Sequence, residues 1–162
     1  MQRLLIDRRL RLLADIDVDV LDLSSPAARA EVVAAGKAGT DDGVGRYRAI
    51  VSVAELVRFP DLVLALRGIH RLLADDGDLW LVEPVHHAGA GAIVLGSLWS
   101  IHPAVAGVHV ERDVTLAVRT VGLTLTDVER FAMPTTVYPL RLFVQARARR
   151  LVEPVRSGGA AA

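Results

Sequence analysis

The chain has 162 residues, of which 52% are apolar, 23% charged and 4% aromatic, with 19 basic and 19 acidic side chains and no cysteine. This is the composition of a globular domain, and at such a length about 68–70% of the unfolded chain's surface can be buried without disulfide or metal support. Without cysteine there are no disulfides, thiolate metal sites or thiol nucleophiles. A formal net charge of zero gives no general attraction to nucleic acid or to an anionic membrane. Lys37 is the single lysine, and no cluster in the sequence gathers the arginines into a phosphate-binding face, so no nucleic-acid partner is expected.

The opening Met1-Gln2-Arg3-Leu4-Leu5-Ile6 is too short an apolar run, and meets Asp7-Arg8-Arg9 too soon, to read as a secretory leader, so a cytoplasmic protein is expected. Leucines at positions 4, 5, 10, 12 and 13, interleaved with arginines, predict an amphipathic helix over 4–14. The period then changes to two, predicting a strand over 16–22 that ends at Asp22, with Ser24-Ser25-Pro26 as a loop. A helix follows over 27–35 and is expected to stop at Gly36, before a flexible loop over 37–45.

Residues 47–53 form a β-branched run of the kind buried on both faces of a parallel sheet. Asp61 is a candidate helix cap, and Leu62, Leu66, Ile69 and Leu73 recur at helical spacing until the turn Asp75-Asp76-Gly77. Residues 79–82 read as the next strand, so 47–83 make a strand, helix, strand unit long enough for a right-handed parallel crossover. The uncharged stretch 84–110 has an apolar centre at 93–99, far short of the ~20 residues of a spanning helix, so it reads as cover over a core or site. A helix over 114–121 ends at Gly122, a strand spans 123–133, 134–139 turn, and alternation over 140–146 predicts a last strand antiparallel to the one before it. A single domain over 1–148 is expected, with a disordered tail over 149–162.

In order and spacing these pieces resemble the C-terminal two-thirds of a class I S-adenosylmethionine-dependent methyltransferase. The resemblance is carried by Tyr47-Arg48-Ala49-Ile50-Val51-Ser52-Val53, then by Leu66-Arg67-Gly68-Ile69-His70-Arg71-Leu72-Leu73-Ala74-Asp75-Asp76-Gly77 and Asp78-Leu79-Trp80-Leu81-Val82-Glu83-Pro84. Downstream, Val118-Arg119-Thr120-Val121-Gly122-Leu123, Val128-Glu129-Arg130-Phe131 and Leu140-Arg141-Leu142-Phe143-Val144-Gln145-Ala146-Arg147-Ala148 are similar to the family's last helix and closing strand pair. The resemblance implies a three-layer α/β fold with a Rossmann-like, mostly parallel sheet, a C-terminal antiparallel hairpin, and an N-terminal truncation that removes the first two strands. It also implies S-adenosylmethionine as cofactor and a small molecule as methyl acceptor.

One departure is large. The family's glycine-rich loop lets backbone approach the cofactor closely, but no Gly-x-Gly-x-Gly occurs here, and Ser24-Ser25-Pro26 follows Val20-Leu21-Asp22-Leu23. That segment fits the family's third strand, where Asp22 matches the acid that contacts the adenine amino group. The resemblance thus implies cofactor contacts at Asp22 and Leu23, and at Ser52, Val53 and Ala54 beyond the central strand. Glu83, His86 and His87, just past the fifth-strand equivalent, are the candidate catalytic residues, either histidine acting as general base.

Each reading has a plainer counterpart. Asp22 also serves as an ordinary turn cap, Glu55 as a solvated loop acid rather than a proton acceptor, and the histidines as solvent-facing loop residues. No metal site is expected, because Glu83, His86, His87, His102 and His109 match no ligand spacing. Trp80 and Trp99 read as packing residues. The alternative function is a non-catalytic interaction module in which the sheet edge left by the missing strands pairs with a second copy, giving a homodimer.

Overall fold

The computed structural model describes residues 2–14, 16, 19–38, 45–85, 107–109, 112–134 and 142–150. Its elements are α1 (Gln2–Ala14), β1 (Val20–Asp22), α2 (Pro26–Lys37), β2 (Tyr47–Val53), a 3-10 turn (Leu56–Arg58), α3 (Leu62–Leu72), β3 (Leu73–Pro84), α4 (Val114–Thr120), β4 (Leu123–Ala132) and β5 (Leu142–Arg150). The five strands form one sheet in the order β1-β2-β3-β5-β4. β1, β2 and β3 run parallel, while β5 is antiparallel to both of its neighbours. The expected β2-α3-β3 crossover and the closing antiparallel pair are both present.

Alternation along each strand separates two apolar layers. On one face Ile50, Leu79, Leu81, Val144, Ala146 and Ala148 join residues of α2, α3 and α4 in the main core. On the other, Val82, Phe143 and Met133 meet Leu5 and Leu12 of α1. Arg8 of α1 reaches across that face to donate to Gln145 Oε1 and stacks its guanidinium 3.6 Å from the centre of the Phe131 ring. The arrangement is helix, sheet, helices, a three-layer α/β fold.

Local chemistry accounts for most boundaries. Asp61 and Asp113 cap α3 and α4 by accepting from the Leu64 and Leu116 N–H groups at 2.9 and 3.0 Å. Pro26 opens α2, where a missing N–H is harmless. The expected stop at Gly36 does not occur, and α2 continues to Lys37. Gly36 is there for packing: a Cβ on it would lie 2.2 Å from the Leu64 carbonyl oxygen, and one on Gly68 would lie 1.9 Å from that of Val32. The two glycines let α2 and α3 touch backbone to backbone.

Other expectations need correction. The first strand begins at Val20, not at 16, where the Ile16 N–H instead donates to the Leu13 carbonyl at the end of α1. Asp75-Asp76-Gly77 is part of β3 rather than a turn before it, because the pairing with β2 slips between Tyr47 and Ala49 and sets residues 74–77 opposite Arg48. Arg48 and Arg150 hold Asp76 and Asp75 at 2.8 and 3.0 Å. The last strand, expected over 140–146, extends to Arg150, since Arg149 pairs with Asp78 at 2.6 Å and Arg150 Nε donates to the His70 carbonyl at 2.7 Å. β4 carries a bulge between Thr126 and Glu129, where Asp127 takes a φ of 50°. Residues 39–44 of the expected flexible loop, 86–106 of the uncharged stretch, 135–141 and 151–162 lie outside the described residues. Among the described residues no helix is long and apolar enough to cross a membrane.

Candidate functional site

The carboxyl ends of β1, β2 and β3 meet beside α1 and the start of α2, and most of the residues singled out from sequence gather there. Asp22 ends β1. Its Oδ1 accepts from the Ser24 N–H at 2.9 Å, and its Oδ2 accepts from Arg9 Nε at 2.7 Å and from Arg9 Nη2. Asp22 thus caps its own turn, as its plainer reading has it, and is also paired with a guanidinium from α1. Leu23 is fully buried, with its N–H on the Val51 carbonyl at 3.0 Å.

Arg29, on the first turns of α2, ties three groups together. From Nη1 it donates to the Leu23 carbonyl at 2.9 Å, the Ser24 carbonyl at 3.1 Å and Glu55 Oε2 at 2.9 Å. Burial pushes the Glu55 carboxyl above its ordinary range, against the opposing charges of Arg29 and Arg58. Neither Arg9 nor Arg29 was singled out from sequence. Their partners lie 13 and 26 residues away, beyond any local signal.

At the end of β2 the chain passes through Ala54 with a φ of 56°, a left-handed conformation that costs an L-residue about 1–3 kcal/mol. Two hydrogen bonds fix it there: its N–H donates to the Val82 carbonyl at 2.8 Å, and its own carbonyl accepts from Arg58 Nε at 3.3 Å. Val53 is half-buried and packs against the Val82, Met133 and Phe143 cluster, as Leu5 and Leu12 of α1 do.

Beneath this turn lies Glu83, with no exposed surface. Its Oε1 accepts from the Ser52 hydroxyl at 2.5 Å and from the N–H groups of Glu55 and Leu56 at 3.2 and 3.1 Å, while Oε2 is buried with no hydrogen-bond partner. Burial pushes the Glu83 carboxyl up to about 7, although the Ser52 hydroxyl and the backbone donors pull the other way. Ser52 is equally buried and its hydroxyl is spent on Glu83. Glu83 thus faces the interior and grips the turn, while His86 and His87 lie outside the described residues. Among the described residues no group of three or more His, Asp or Glu side chains is placed to hold a metal ion.

No protein family profile matches this sequence, and no curated protein is detectably similar to it. Solved structures are similar in fold. A candidate methyltransferase from Bacillus halodurans superposes with a TM-score of 0.54 at 12% identity, over 72% of this chain and 68% of its own. The YcgJ protein of Bacillus subtilis gives a TM-score of 0.55 at 12% identity, again over 72% and 68%. A Burkholderia thailandensis 1,6-didemethyltoxoflavin-N1-methyltransferase, solved with bound 1,6-didemethyltoxoflavin and S-adenosylhomocysteine, overlaps at a TM-score of 0.41 and 18% identity, over 72% and 48%. The first two carry the comparison, and what they share with this chain is the fold. The chain has a class I methyltransferase-like fold.

Proposed function

We propose that this chain binds S-adenosylmethionine across the carboxyl ends of β1 and β2 and serves methyl transfer to a small-molecule acceptor. The observation that carries the reading is Asp22 at the end of β1 beside the left-handed turn at Ala54, on a methyltransferase-like fold. The residues present fit the adenosine half of the cofactor. Three of the roughly four acceptor positions of the Asp22 carboxylate are used, two of them by Arg9, and one Arg9 contact can be exchanged for an amino donor. Val53 and Ala54, both half-buried, offer an apolar flank for a flat ring.

When bound, the cofactor supplies a sulfonium-activated methyl group. The chain's own residues orient and prepare. Asp22 fixes the adenine end, exchanging one Arg9 contact for it. Glu83 and Ser52 act as positioning residues that hold the 54–56 turn, and the Leu23 backbone supports the start of the α2 side. His86 or His87 takes the proton from the acceptor's oxygen or nitrogen, and positioning supplies the remainder of the rate.

Calorimetric titration with S-adenosylhomocysteine tests the reading. Saturable binding is expected, weakened about tenfold or more by Asp22→Asn and strengthened by Arg9→Ala, tenfold being ~1.4 kcal/mol. No binding by a folded sample defeats it. That result favours a second reading, a non-catalytic module that pairs with a copy of itself through the β1 edge. One observation supports it: both acids at the site, Asp22 and Glu55, are already neutralised by the chain's own Arg9 and Arg29. A stable monomer by light scattering counts against that alternative.

A further inference from the structure

Not every cation near the candidate site is occupied in holding the chain together. Arg29 is, through Glu55 and two carbonyls. Lys37, in the last turn of α2, and Arg58, closing the 3-10 turn, form no ion pair among the described residues. Among the described residues Arg58 donates to the Ala54 carbonyl, and it shares the field of Glu55 with Arg29.

These three cations rim one cleft of about 680 Å³ between α2 and the chain at Phe59-Pro60. Its floor is apolar: Ala30, Val33 and Ala34 on the α2 side, Phe59 and Pro60 on the other. No acidic side chain is among the described residues that line it. The volume lies within the roughly 300–1,000 Å³ range of small-molecule sites.

Both walls are fixed in advance. The Gly36 and Gly68 contacts lock α2 to α3. On the opposite side Arg112 donates to the Phe59 carbonyl and to the Pro60 carbonyl, the latter at 2.8 Å, and the His109 N–H donates to the Val57 carbonyl at 2.7 Å. A preorganised apolar trough has little ordering left to lose on binding, so more of the gain from the area it removes from water is kept as affinity.

The geometry points to this cleft as a binding site for an amphiphilic anion, a small apolar molecule bearing one carboxylate, its head between Lys37 and Arg58 and its tail along Val33, Ala34 and Phe59. A neutral apolar molecule gains the floor but leaves the cation rim unanswered. A small inorganic anion gains the rim but not the floor. The cleft adjoins the Asp22 end, with Arg29 and Arg58 standing between the two, but the inference does not depend on cofactor binding there.

Decanoate is the probe, titrated calorimetrically into the full chain below its micelle threshold. Saturable binding is expected, with decanol and inorganic phosphate each about tenfold weaker or more. Lys37→Glu with Arg58→Glu should abolish it, and Lys37→Glu alone should weaken it if the double variant fails to fold. Ala34→Trp, which fills the cleft from an exposed helix position, should also abolish it. Arg67→Glu is the charge-matched control, because Arg67 lines the neighbouring basin with His70 and Arg71, which shares Lys37 but no other lining residue with this cleft; it should leave binding within about twofold. Equal affinity for decanol or phosphate, loss in Arg67→Glu matching that in Lys37→Glu, retention in Ala34→Trp, or no saturation by the folded wild-type chain each overturns the assignment.

Discussion

The Ser52 hydroxyl donates to Glu83 Oε1 at 2.5 Å, joining β2 to β3 inside the core at the point where the chain turns toward the candidate site. The folded chain holds the Glu83 proton up to about pH 7, whereas the unfolded chain releases it near 4.5. Between those values the folded state binds more protons, so stability falls as pH rises through the window and levels off above it. The span corresponds to roughly 3 kcal/mol. Glu83→Gln removes the titration, and the difference in urea midpoint between the variant and the wild type, followed from pH 4 to 8, should move steadily in the variant's favour.

Asp78 behaves in the opposite sense. Burial pushes its carboxyl up, but hydrogen bonds from Arg149 and Arg147, with their charges, outweigh that and hold it below its ordinary range. Its contribution is present above the unfolded value of 3.8 and is lost as pH falls through the lower folded value. Because both arginines reach solvent, Asp78→Asn is expected to cost a moderate 1–3 kcal/mol, approximately, at neutral pH. Thermal melts of the variant should also show a weaker acid limb than the wild type.

Gly68→Ala reverses the usual helix rule. In an ordinary helix the change gains about 1 kcal/mol in propensity, but here the new methyl would meet the Val32 carbonyl oxygen at 1.9 Å. Backbone cannot swing aside as a side chain can, so α2 must lift from α3, with an expected loss of about 2 kcal/mol or more. Chemical denaturation distinguishes the two signs directly.

Ala54 gives a graded test of backbone strain. Its φ of 56° suits glycine, so Ala54→Gly should be neutral to stabilising by about 1 kcal/mol, whereas Ala54→Val should lose roughly 2 kcal/mol. A stability loss in the glycine variant would show that the methyl group's packing against the Val82, Met133 and Phe143 cluster outweighs the strain.

The salt link between Arg9 and Asp22 should contribute little to folding by itself. Both side chains remain partly exposed, at 34% and 22%, and such pairs are worth about 0–1 kcal/mol. Arg9→Ala should therefore shift the urea midpoint only slightly. The same variant's stronger binding of S-adenosylhomocysteine separates competition at Asp22 from any loss of stability.

The sequence was most readable where local pattern and tertiary role coincide. The spacing of Leu62, Leu66 and Ile69 predicts α3 because all three are buried on one face, and the run at 47–53 predicts β2 because residues 49–52 are buried. It was least readable where a distant group decides. Gly36 reads as a helix stop until Leu64 is placed against it, and Arg149 reads as tail until Asp78 stands opposite. Glu83 carries the same lesson for the site. An acid at a strand end reads as exposed and available, and only the converging Ser52, Glu55 and Leu56 donors explain how it is tolerated inside.

The bulge at Asp127 bears on how copies of this chain can associate. It interrupts the outer strand β4 at its middle and sets charged Asp127, Glu129 and Arg130 on an exposed rim, features that discourage a further strand from docking. The opposite rim is β1, three residues long. A twofold contact there consumes the receptive rim of both molecules at once. On the pairing alternative, assembly through the described sheet edges would therefore end at a pair.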